Sequence, residues 1–298
     1  MTKKRKKKLS WIKYLLLFIF AILAVTYFYK KSNLESASSE ISFENIEPKL
    51  ISLSKGLEVP LCPAKNHVQD HEIRKFRYYS LCYRESYEQA EWSAYTISDS
   101  DLIKNAVRSN NFRPDGEIST QSASLSDYKG SGYDRGHLTP AADMAFSEEA
   151  MSETFFMSNM SPQTPQFNRG IWKDLEAEVR YWTKVFGKVF VVSGPVLDKP
   201  SSFFTSIGEN QVSVPEFYYK VILVPLYEDE TDRASPEDSK SVMTIGFIIP
   251  NKKCEQDFWN YAVPVDQVEA LTHIDFYSLL PDNIEDSVEA KLDLDLWR

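Results

Sequence analysis

The feature that most constrains the fold is an amphipathic segment at residues 166–186. Its apolar residues recur every three or four positions, which is the period of an α-helix with one buried face. Gly187 follows at once and is a common residue type for ending a helix. The segment therefore predicts one long helix over 166–186 that packs against a core. The apolar positions are Ile171, Trp172, Leu175, Val179, Trp182 and Val185.

Segments with strand character lie on both sides of this helix. They are rich in aromatic and β-branched residues, and one of them ends at the Gly-Pro turn signal 194–195. A shorter helix is predicted after Ser147, which can cap it. Since strands and helices do not alternate regularly, the pattern indicates an α+β fold, and 43% hydrophobic residues can fill its core. The predicted strands are 76–84, 92–97, 188–193, 216–224 and 241–249.

The N-terminus has a different character. Residues 3–8 are all basic, and residues 14–29 carry no charge. The apolar stretch 11–29 is close to the roughly 20 residues that cross a bilayer, with aromatic residues near both ends. It predicts a transmembrane signal anchor over 11–29, which follows a basic tail over 1–10. A polar linker over 30–50 then leads to the main domain over 51–298.

Because the stronger basic flank precedes the anchor, the N-terminus is expected in the cytoplasm and the domain in the periplasm or outside the cell. A cleaved signal peptide is the alternative, and it would release a secreted form. The cysteines Cys62, Cys82 and Cys254 match no zinc or redox motif. One disulfide could form outside the cytoplasm, but the spacing does not select a pair.

Charge is divided unevenly along the chain. Nine of the 34 Lys and Arg residues lie in residues 1–31, which leaves 25 basic against 43 acidic residues, a net charge of −18, for the rest. Part of this charge lies in an acidic segment at 227–240, which is expected to be a surface loop. The bulk charge opposes a polyanionic ligand, although binding depends on the local field.

The segment 127–143 carries the first chemical motif. Gly130 and Gly132 precede Asp-Arg-Gly-His at 134–137, and Gly136 allows close approach of the backbone beside His137. An arginine and a histidine in one Gly-bounded turn combine a fixed cation with a titratable base. Phosphodiester hydrolysis needs such a pair, because water must be activated and negative charge develops on the phosphate.

A second motif opens the predicted long helix. Asn168 lies near the start of this helix, and Glu176 follows two turns later, on a neighbouring face. A neutral amide oxygen together with waters suits Mg²⁺, which prefers hard oxygen ligands and keeps much of its hydration shell. The two motifs together favour a metal-assisted hydrolase over a helix that only packs and faces solvent.

These motifs resemble the DNA/RNA non-specific endonuclease family, the ββα-metal or His-Me finger nucleases that include endonuclease G. The resemblance extends from about residue 78 to residue 282. It implies a central, mostly antiparallel sheet flanked by helices, and hydrolysis of DNA and RNA as substrates. The most specific segments are 131–140, 159–163 and 168–176, with weaker similarity at 193–196, 214–220, 249–251 and 275–282.

The resemblance also implies roles for individual residues. His137 would be the general base, and Asn168 would be the sole direct protein ligand of Mg²⁺, with Mn²⁺ as an alternative. Arg135 would contact the scissile phosphate. Glu176 would hold a metal-bound water, and Asn159 would support the site from nearby.

Three further expectations complete the predicted site. Asp134 and Gly136 would order the turn, and Arg169 would contact phosphate. Water activated by His137 would attack phosphorus and leave a 5′-phosphate. The rate would then rise through the pKa of His137, which is about 6.5 if unperturbed. One departure from the family is His273, which stands where the family usually has Gly.

Three alternatives belong to other functional classes. A decayed nuclease fold could serve as a membrane-tethered module that binds nucleic acid or protein without catalysis. His67 and His71, followed by Glu72, could form half of a zinc site, but their order does not match a zinc hydrolase motif. Gly-Ser-Gly at 130–132 does not match the nucleophile elbow of a serine hydrolase.

Overall fold

The computed structural model describes residues 51–52, 55–62, 70–227, 238–239 and 241–298, with 51–52 and 238–239 in backbone only. The predicted basic tail, membrane anchor and linker lie outside the described residues, as do His67 and most of the predicted loop at 227–240. Within the described ranges, no helix is both long enough and apolar enough to cross a bilayer.

The described chain is a mixed α and β structure, in agreement with the predicted α+β class. Its strands are β1 (Ile51–Ser52), β2 (His71–Lys75), β3 (Tyr79–Arg84), β4 (Gln89–Ser98), β5 (Asp134–His137), β6 (Met160–Gln163), β7 (Lys188–Pro195), β8 (Ser206–Ile207), β9 (Val212–Ser213), β10 (Phe217–Leu226), β11 (Asp238–Ser239), β12 (Ser241–Pro250) and β13 (Ala262–Val263). Its α-helices are α1 (Leu125–Tyr128), α2 (Glu148–Glu153), α3 (Pro165–Asn168), α4 (Ile171–Phe186), α5 (Val265–Thr272) and α6 (Asp282–Glu289).

A seven-stranded sheet of order β13-β12-β10-β7-β4-β3-β2 forms the centre, and all of its neighbouring strands are antiparallel. The five strands predicted from the sequence are β3, β4, β7, β10 and β12, with ends shifted by a few residues. The predicted short helix is α2, whose cap Ser147 accepts a hydrogen bond from the backbone N–H of Ala150 at 3.4 Å.

Both faces of this sheet are covered, because alternate residues of a strand point to opposite sides. On one face, Val189 and Val191 of β7 pack in a cluster with Trp182 of α4. On the other face, Phe190 and Val192 pack with apolar residues of α5 and of the segment that follows it. The central strands are therefore sandwiched between helices.

The prediction of a single helix over 166–186 is wrong at one point, because the segment contains two helices. Gly170 separates α3 from α4 with φ −109° and ψ −116°, which is not helical. A Cβ atom at Gly170 would lie 2.5 Å from the backbone oxygen of Gln166, so only glycine fits there. Asn168 therefore ends one helix, Glu176 lies in the next, and the helical spacing between them carries no information.

A disulfide joins Cys62 to Cys82, with the two Cα atoms 5.6 Å apart, and Cys254 is free. Cys82 is a fully buried residue of β3. The bond therefore attaches the segment before β2 to the central sheet.

Cys62→Ser is expected to lower the free energy of unfolding by about 3 kcal/mol, because the bond closes a loop across a sequence separation of 20 residues in the unfolded chain. Urea unfolding measures this value. Cys254→Ser is the matched control and is expected to unfold like the unsubstituted chain. Dithiothreitol should destabilise the unsubstituted chain but not Cys62→Ser, and equal sensitivity of both proteins would contradict a structural disulfide.

Candidate active site

The two sequence motifs meet in a small ββα unit beside the central sheet. Strand β5 pairs antiparallel with β6, with Asp134 opposite Gln163 and His137 opposite Met160. Helices α3 and α4 follow β6 directly. His137 is the last residue of β5.

Gly136 allows β5 and β6 to lie this close. A Cβ atom at Gly136 would lie 2.1 Å from Cδ and 2.2 Å from Oε1 of the Gln163 side chain. Gln163 is fully buried, so it has little freedom to move away. The predicted close backbone approach beside His137 is therefore present, and it is made by packing against β6.

The imidazole of His137 is buried among aromatic rings. Its side chain is 8% exposed, and its ring centroid lies 4.9 Å from that of Phe155, edge to face, and 5.8 Å from that of Phe112. The Nε2 atom has no hydrogen-bond partner among the described residues. A buried polar atom without a protein partner is unfavourable unless a water or ligand reaches it, so Nε2 is free to accept such a partner.

Burial lowers the pKa of His137 to about 3, and the positive charges of Arg108 and Arg135 act in the same direction. The imidazole is therefore neutral near pH 7 and can accept a proton. This pKa differs from the unperturbed value of about 6.5 expected from the sequence, because the residue is buried and faces two cations.

Asn159 fixes the backbone that follows His137. Its Oδ1 accepts the N–H of Thr139 at 2.9 Å, and its Nδ2 donates to the carbonyl oxygens of Thr139 and Thr154, each at 3.0 Å. The side chain is fully buried. Both the oxygen and the nitrogen of the Asn159 side-chain amide make hydrogen bonds within the protein. Asn159 therefore acts by positioning His137.

Asp134, at the other end of β5, joins this strand to α3. Its carboxylate accepts hydrogen bonds from Nδ2 of Asn168 at 2.9 Å and from Nε and Nη2 of Arg169 at 2.8 and 2.6 Å. Burial acts to raise the pKa of Asp134, but these hydrogen bonds outweigh it and hold the pKa below its usual value. Asp134 therefore orders the end of α3, where the sequence predicted only an ordered turn.

This arrangement gives Arg169 a partner within the protein, and its predicted contact with phosphate stays a prediction. Its guanidinium forms a bidentate pair with Asp134, although the Arg169 side chain is 71% exposed. Arg135 is more open to a phosphate, since its guanidinium stacks 4.1 Å from the Phe112 ring centroid and forms no ion pair within the described ranges. Arg108 also lacks an ion pair there and lies 4.9 Å from the ring of Phe155.

The donor set of this site fits a hydrated divalent cation. Because Nδ2 of Asn168 donates to Asp134, the amide is turned so that Oδ1 remains available, and no described residue bonds to it. Asp134 and His137 are three positions apart on β5, or about 10 Å along the strand. Through its bond to Asp134, Asn168 lies beside the strand that carries His137. The Glu176 carboxylate makes no hydrogen bond to a described residue either, and amide and carboxylate oxygens are the donor types that suit Mg²⁺.

Several charged residues near Glu176 were not predicted from the sequence. Arg180 donates to Asp143 at 2.6 Å, and Tyr95 donates to the same buried carboxylate at 2.6 Å. Lys220 is fully buried, with Nζ 2.6 Å from Oγ of Ser193. Of these residues, only Arg180 could have been placed near Glu176 from the sequence, since it follows Glu176 by four positions on one helix.

Burial raises the pKa of Glu176, in opposition to the positive charge of Lys220. Burial likewise lowers the pKa of Lys220, against the negative charge of Glu176. Arg108 also acts on both Glu176 and His137. The site thus combines a neutral base with a local group of cations, although residues 32–298 carry a net charge of −18.

The zinc half-site that was considered as an alternative has a simpler explanation in the part of the chain that is described. His71 lies in β2, with Nε2 3.4 Å from the Glu91 carboxylate. No group of described residues with metal-ligand spacing includes His71.

Comparisons with known proteins agree with this geometry. Residues 60–283 match the family model described as DNA/RNA non-specific endonuclease. A nuclease of Nostoc sp. is 36% identical over 220 residues, which cover 72% of this chain and 76% of that protein. The mitochondrial nuclease EXOG of Xenopus laevis is 33% identical over 251 residues, which cover 80% of this chain and 67% of that protein.

A solved structure shares the fold. The crystal structure of the EndoG/EndoGI complex matches with a TM-score of 0.63 at 28% identity, and the match covers 71% of this chain and 88% of that chain. The central antiparallel sheet matches the EndoG-like nuclease fold. The chain belongs to the DNA/RNA non-specific endonuclease family and is a hydrolase of the endonuclease class.

Gly136→Ala is expected to lower the free energy of unfolding by about 1–3 kcal/mol, as overpacking of a tight core does. It should also reduce nuclease activity, because β5 must move away from β6 and carry His137 with it. Urea unfolding and a plasmid-cleavage assay measure the two effects. Gly116→Ala is the matched control, since a Cβ atom there meets no atom within 4 Å. Equal stability and activity of the two variants would contradict the role assigned to Gly136.

Proposed function

We propose that this chain is a Mg²⁺-dependent endonuclease that hydrolyses both DNA and RNA, with Mn²⁺ as an alternative cofactor. The observation that carries the proposal is the neutral, buried imidazole of His137, whose Nε2 lacks a protein partner. His137 ends strand β5. Asp134, at the other end of the same strand, accepts a hydrogen bond from Asn168. Membership of the family supports the substrate class.

Each residue then has a distinct task. Neutral His137 accepts a proton from the attacking water, and the surrounding rings of Phe112 and Phe155 keep the imidazole in place. Arg135 binds the scissile phosphate and stabilises the charge that develops on it, since it forms no ion pair within the described ranges. Asn159 holds the backbone after His137.

Asn168 and Glu176 would hold the cation. Asn168 offers its amide oxygen directly, in an orientation fixed by Asp134. Glu176 would hold a water of the hydrated ion. When bound, the cation supplies Lewis-acid stabilisation of the non-bridging and leaving oxygens, and the product carries a 5′-phosphate. Recognition through phosphate rather than through base edges explains why cleavage would have little sequence preference.

His137→Ala and Asn168→Ala should each lower kcat by about 10²–10⁴-fold, because one removes the base and the other removes the metal ligand. Glu176→Gln should have a smaller effect, since it acts through water. Mg²⁺-dependent degradation of plasmid and RNA by the purified chain measures these rates.

The matched control is His273→Asn, which removes a histidine far along the chain. His273 has φ +59°, a backbone conformation that Asn tolerates. If His273→Asn and His137→Ala both cleave at the wild-type rate, the assignment of His137 as base is contradicted. An inactive but folded wild-type chain would favour the alternative, a tethered binding module on the same fold.

The pH profile separates His137 from Glu176. Burial, together with Arg108 and Arg135, lowers the pKa of His137 to about 3, so this imidazole stays neutral throughout the assay range. Burial raises the pKa of Glu176, so the fall of activity on acidification should follow protonation of Glu176, above its usual pKa of about 4.3. We expect kcat/KM of Glu176→Gln to lack this acid limb. If the acid limb of kcat/KM is unchanged in Glu176→Gln, the loss of activity at low pH belongs to another group.

We also propose that the nuclease domain is exported and anchored by residues 11–29, with the N-terminus in the cytoplasm. The basic N-terminal flank supports this orientation. The Cys62–Cys82 disulfide supports it independently, because disulfides persist in oxidising compartments. Protease added to intact spheroplasts should digest the domain. Full protection until the cells are lysed would reverse the orientation.

A further inference from the structure

Three carboxylates meet at the C-terminal helices, on the face of the central sheet opposite α4. Asp266 and Glu269 belong to α5, and Glu289 is the last residue of α6. Val268 of α5 packs in the apolar cluster of that face, with Val288 of α6 against it. We refer to Asp266, Glu269 and Glu289 as the C-terminal acidic cluster. It is formed by elements that carry none of the residues of the candidate active site.

The oxygen atoms of this cluster have the spacing of cation ligands. One carboxylate oxygen from each of the three residues lies within 4.8 Å of the others. Two oxygens that share one Ca²⁺ at about 2.4 Å cannot be more than about 4.8 Å apart, so the spacing meets this condition. Exposure decreases from Asp266 through Glu269 to Glu289, so the cluster opens to solvent on one side.

A second observation distinguishes this cluster from an ordinary acidic surface. Glu289 is only 3% exposed, and its Oε1 is buried without a hydrogen-bond partner in the described chain. Oε1 of the neighbouring Glu285 is buried in the same way. None of the three cluster carboxylates forms an ion pair with a Lys, Arg or His of the described residues. A buried carboxylate in this environment is costly unless a cation or a proton neutralises it.

Glu269 is already oriented for such a role. One of its oxygens, Oε1, accepts the backbone N–H of Phe276 at 2.8 Å, and this bond fixes the carboxylate. The second oxygen remains for a ligand. The cluster offers only oxygen donors, which suit Ca²⁺ and Mg²⁺ rather than Zn²⁺. Ca²⁺ accepts irregular geometry and several waters, whereas Mg²⁺ demands a near-ideal octahedron.

We propose that Asp266, Glu269 and Glu289 bind one structural divalent cation, with Ca²⁺ as the preferred ion, which ties α5 to α6. The site is separate from the Mg²⁺ site proposed at Asn168, and it does not depend on nuclease activity. Its effect is to fasten the C-terminal helices to β12, because Thr244 of that strand already holds the end of α6 through the carbonyl of Val288 at 2.8 Å.

Protonation is the competing way to neutralise the cluster. Burial, together with Glu269 and Glu285, raises the pKa of Glu289 to about 9 when no cation is present. A bound cation would displace that proton, so binding should release protons and weaken as the pH falls. Calorimetric titration in two buffers of different ionisation enthalpy detects this release.

The decisive experiment measures Ca²⁺ binding and thermal unfolding in the full chain that carries Asn168→Ala, so that the active site does not contribute. Titration with CaCl₂ after EDTA treatment should show one Ca²⁺ per chain, with a Kd of about 10⁻⁴–10⁻³ M or tighter. Saturating Ca²⁺ should raise Tm by about 3 °C. MgCl₂ titrated in parallel should bind more weakly.

Glu289→Gln keeps the shape of the side chain and should weaken Ca²⁺ binding at least tenfold, with loss of the Tm shift. Asp266→Asn, at an exposed position, should do the same with little risk to folding. Asp286→Asn removes a charge from α6 outside the cluster and should bind Ca²⁺ like the parent. No Ca²⁺ binding by the parent, or equal binding by all three variants, would overturn the proposal and leave Glu289 as a protonated carboxyl.

Discussion

The carboxylate of Asp134 makes the interaction on which the site depends. It accepts hydrogen bonds from Asn168 and Arg169, and thereby joins the strand that ends in His137 to the short helix that ends in Asn168. Because α3 has only four residues, its own hydrogen bonds cannot hold it in place, and it depends on contacts with the rest of the protein. The ion pair with Arg169 also keeps Asp134 charged, so the carboxylate remains an acceptor for the Asn168 amide.

The central sheet holds the ββα unit in place through hydrogen bonds. Asn251, just beyond β12, accepts the N–H of Thr164 at 2.8 Å and donates to the carbonyl of Pro162 at 3.0 Å. Tyr218 of β10 donates to the same carbonyl at 2.9 Å. These bonds fix the junction between β6 and α3, so the rigidity of the seven-stranded sheet is transmitted to the short helix that ends in Asn168. Placement of a site on rigid elements is what precise catalytic geometry requires.

Periodicity predicted much of the fold, and motif order predicted the centre of the site. The strands β3, β4, β7, β10 and β12 have strong local patterns, and His137 and Asn168 stand in segments whose glycines and polar residues are unusual for a core. The break at Gly170 was missed because the apolar period continues across it. Arg108 was missed because it lies in a stretch without regular structure, where no period relates a residue to the site. The partner of Arg169 depends on contacts 35 residues apart, which local sequence does not encode.

The most direct test of His137 as the general base is chemical rescue of His137→Gly by free imidazole. The vacated space between Phe112 and Phe155 should admit imidazole, which then supplies the missing proton acceptor. The assignment predicts that Mg²⁺-dependent plasmid cleavage rises with imidazole concentration in folded His137→Gly, but not in Asn168→Ala. Cleavage by His137→Gly that stays at background at every imidazole concentration, or equal rescue of both variants, would contradict the assignment.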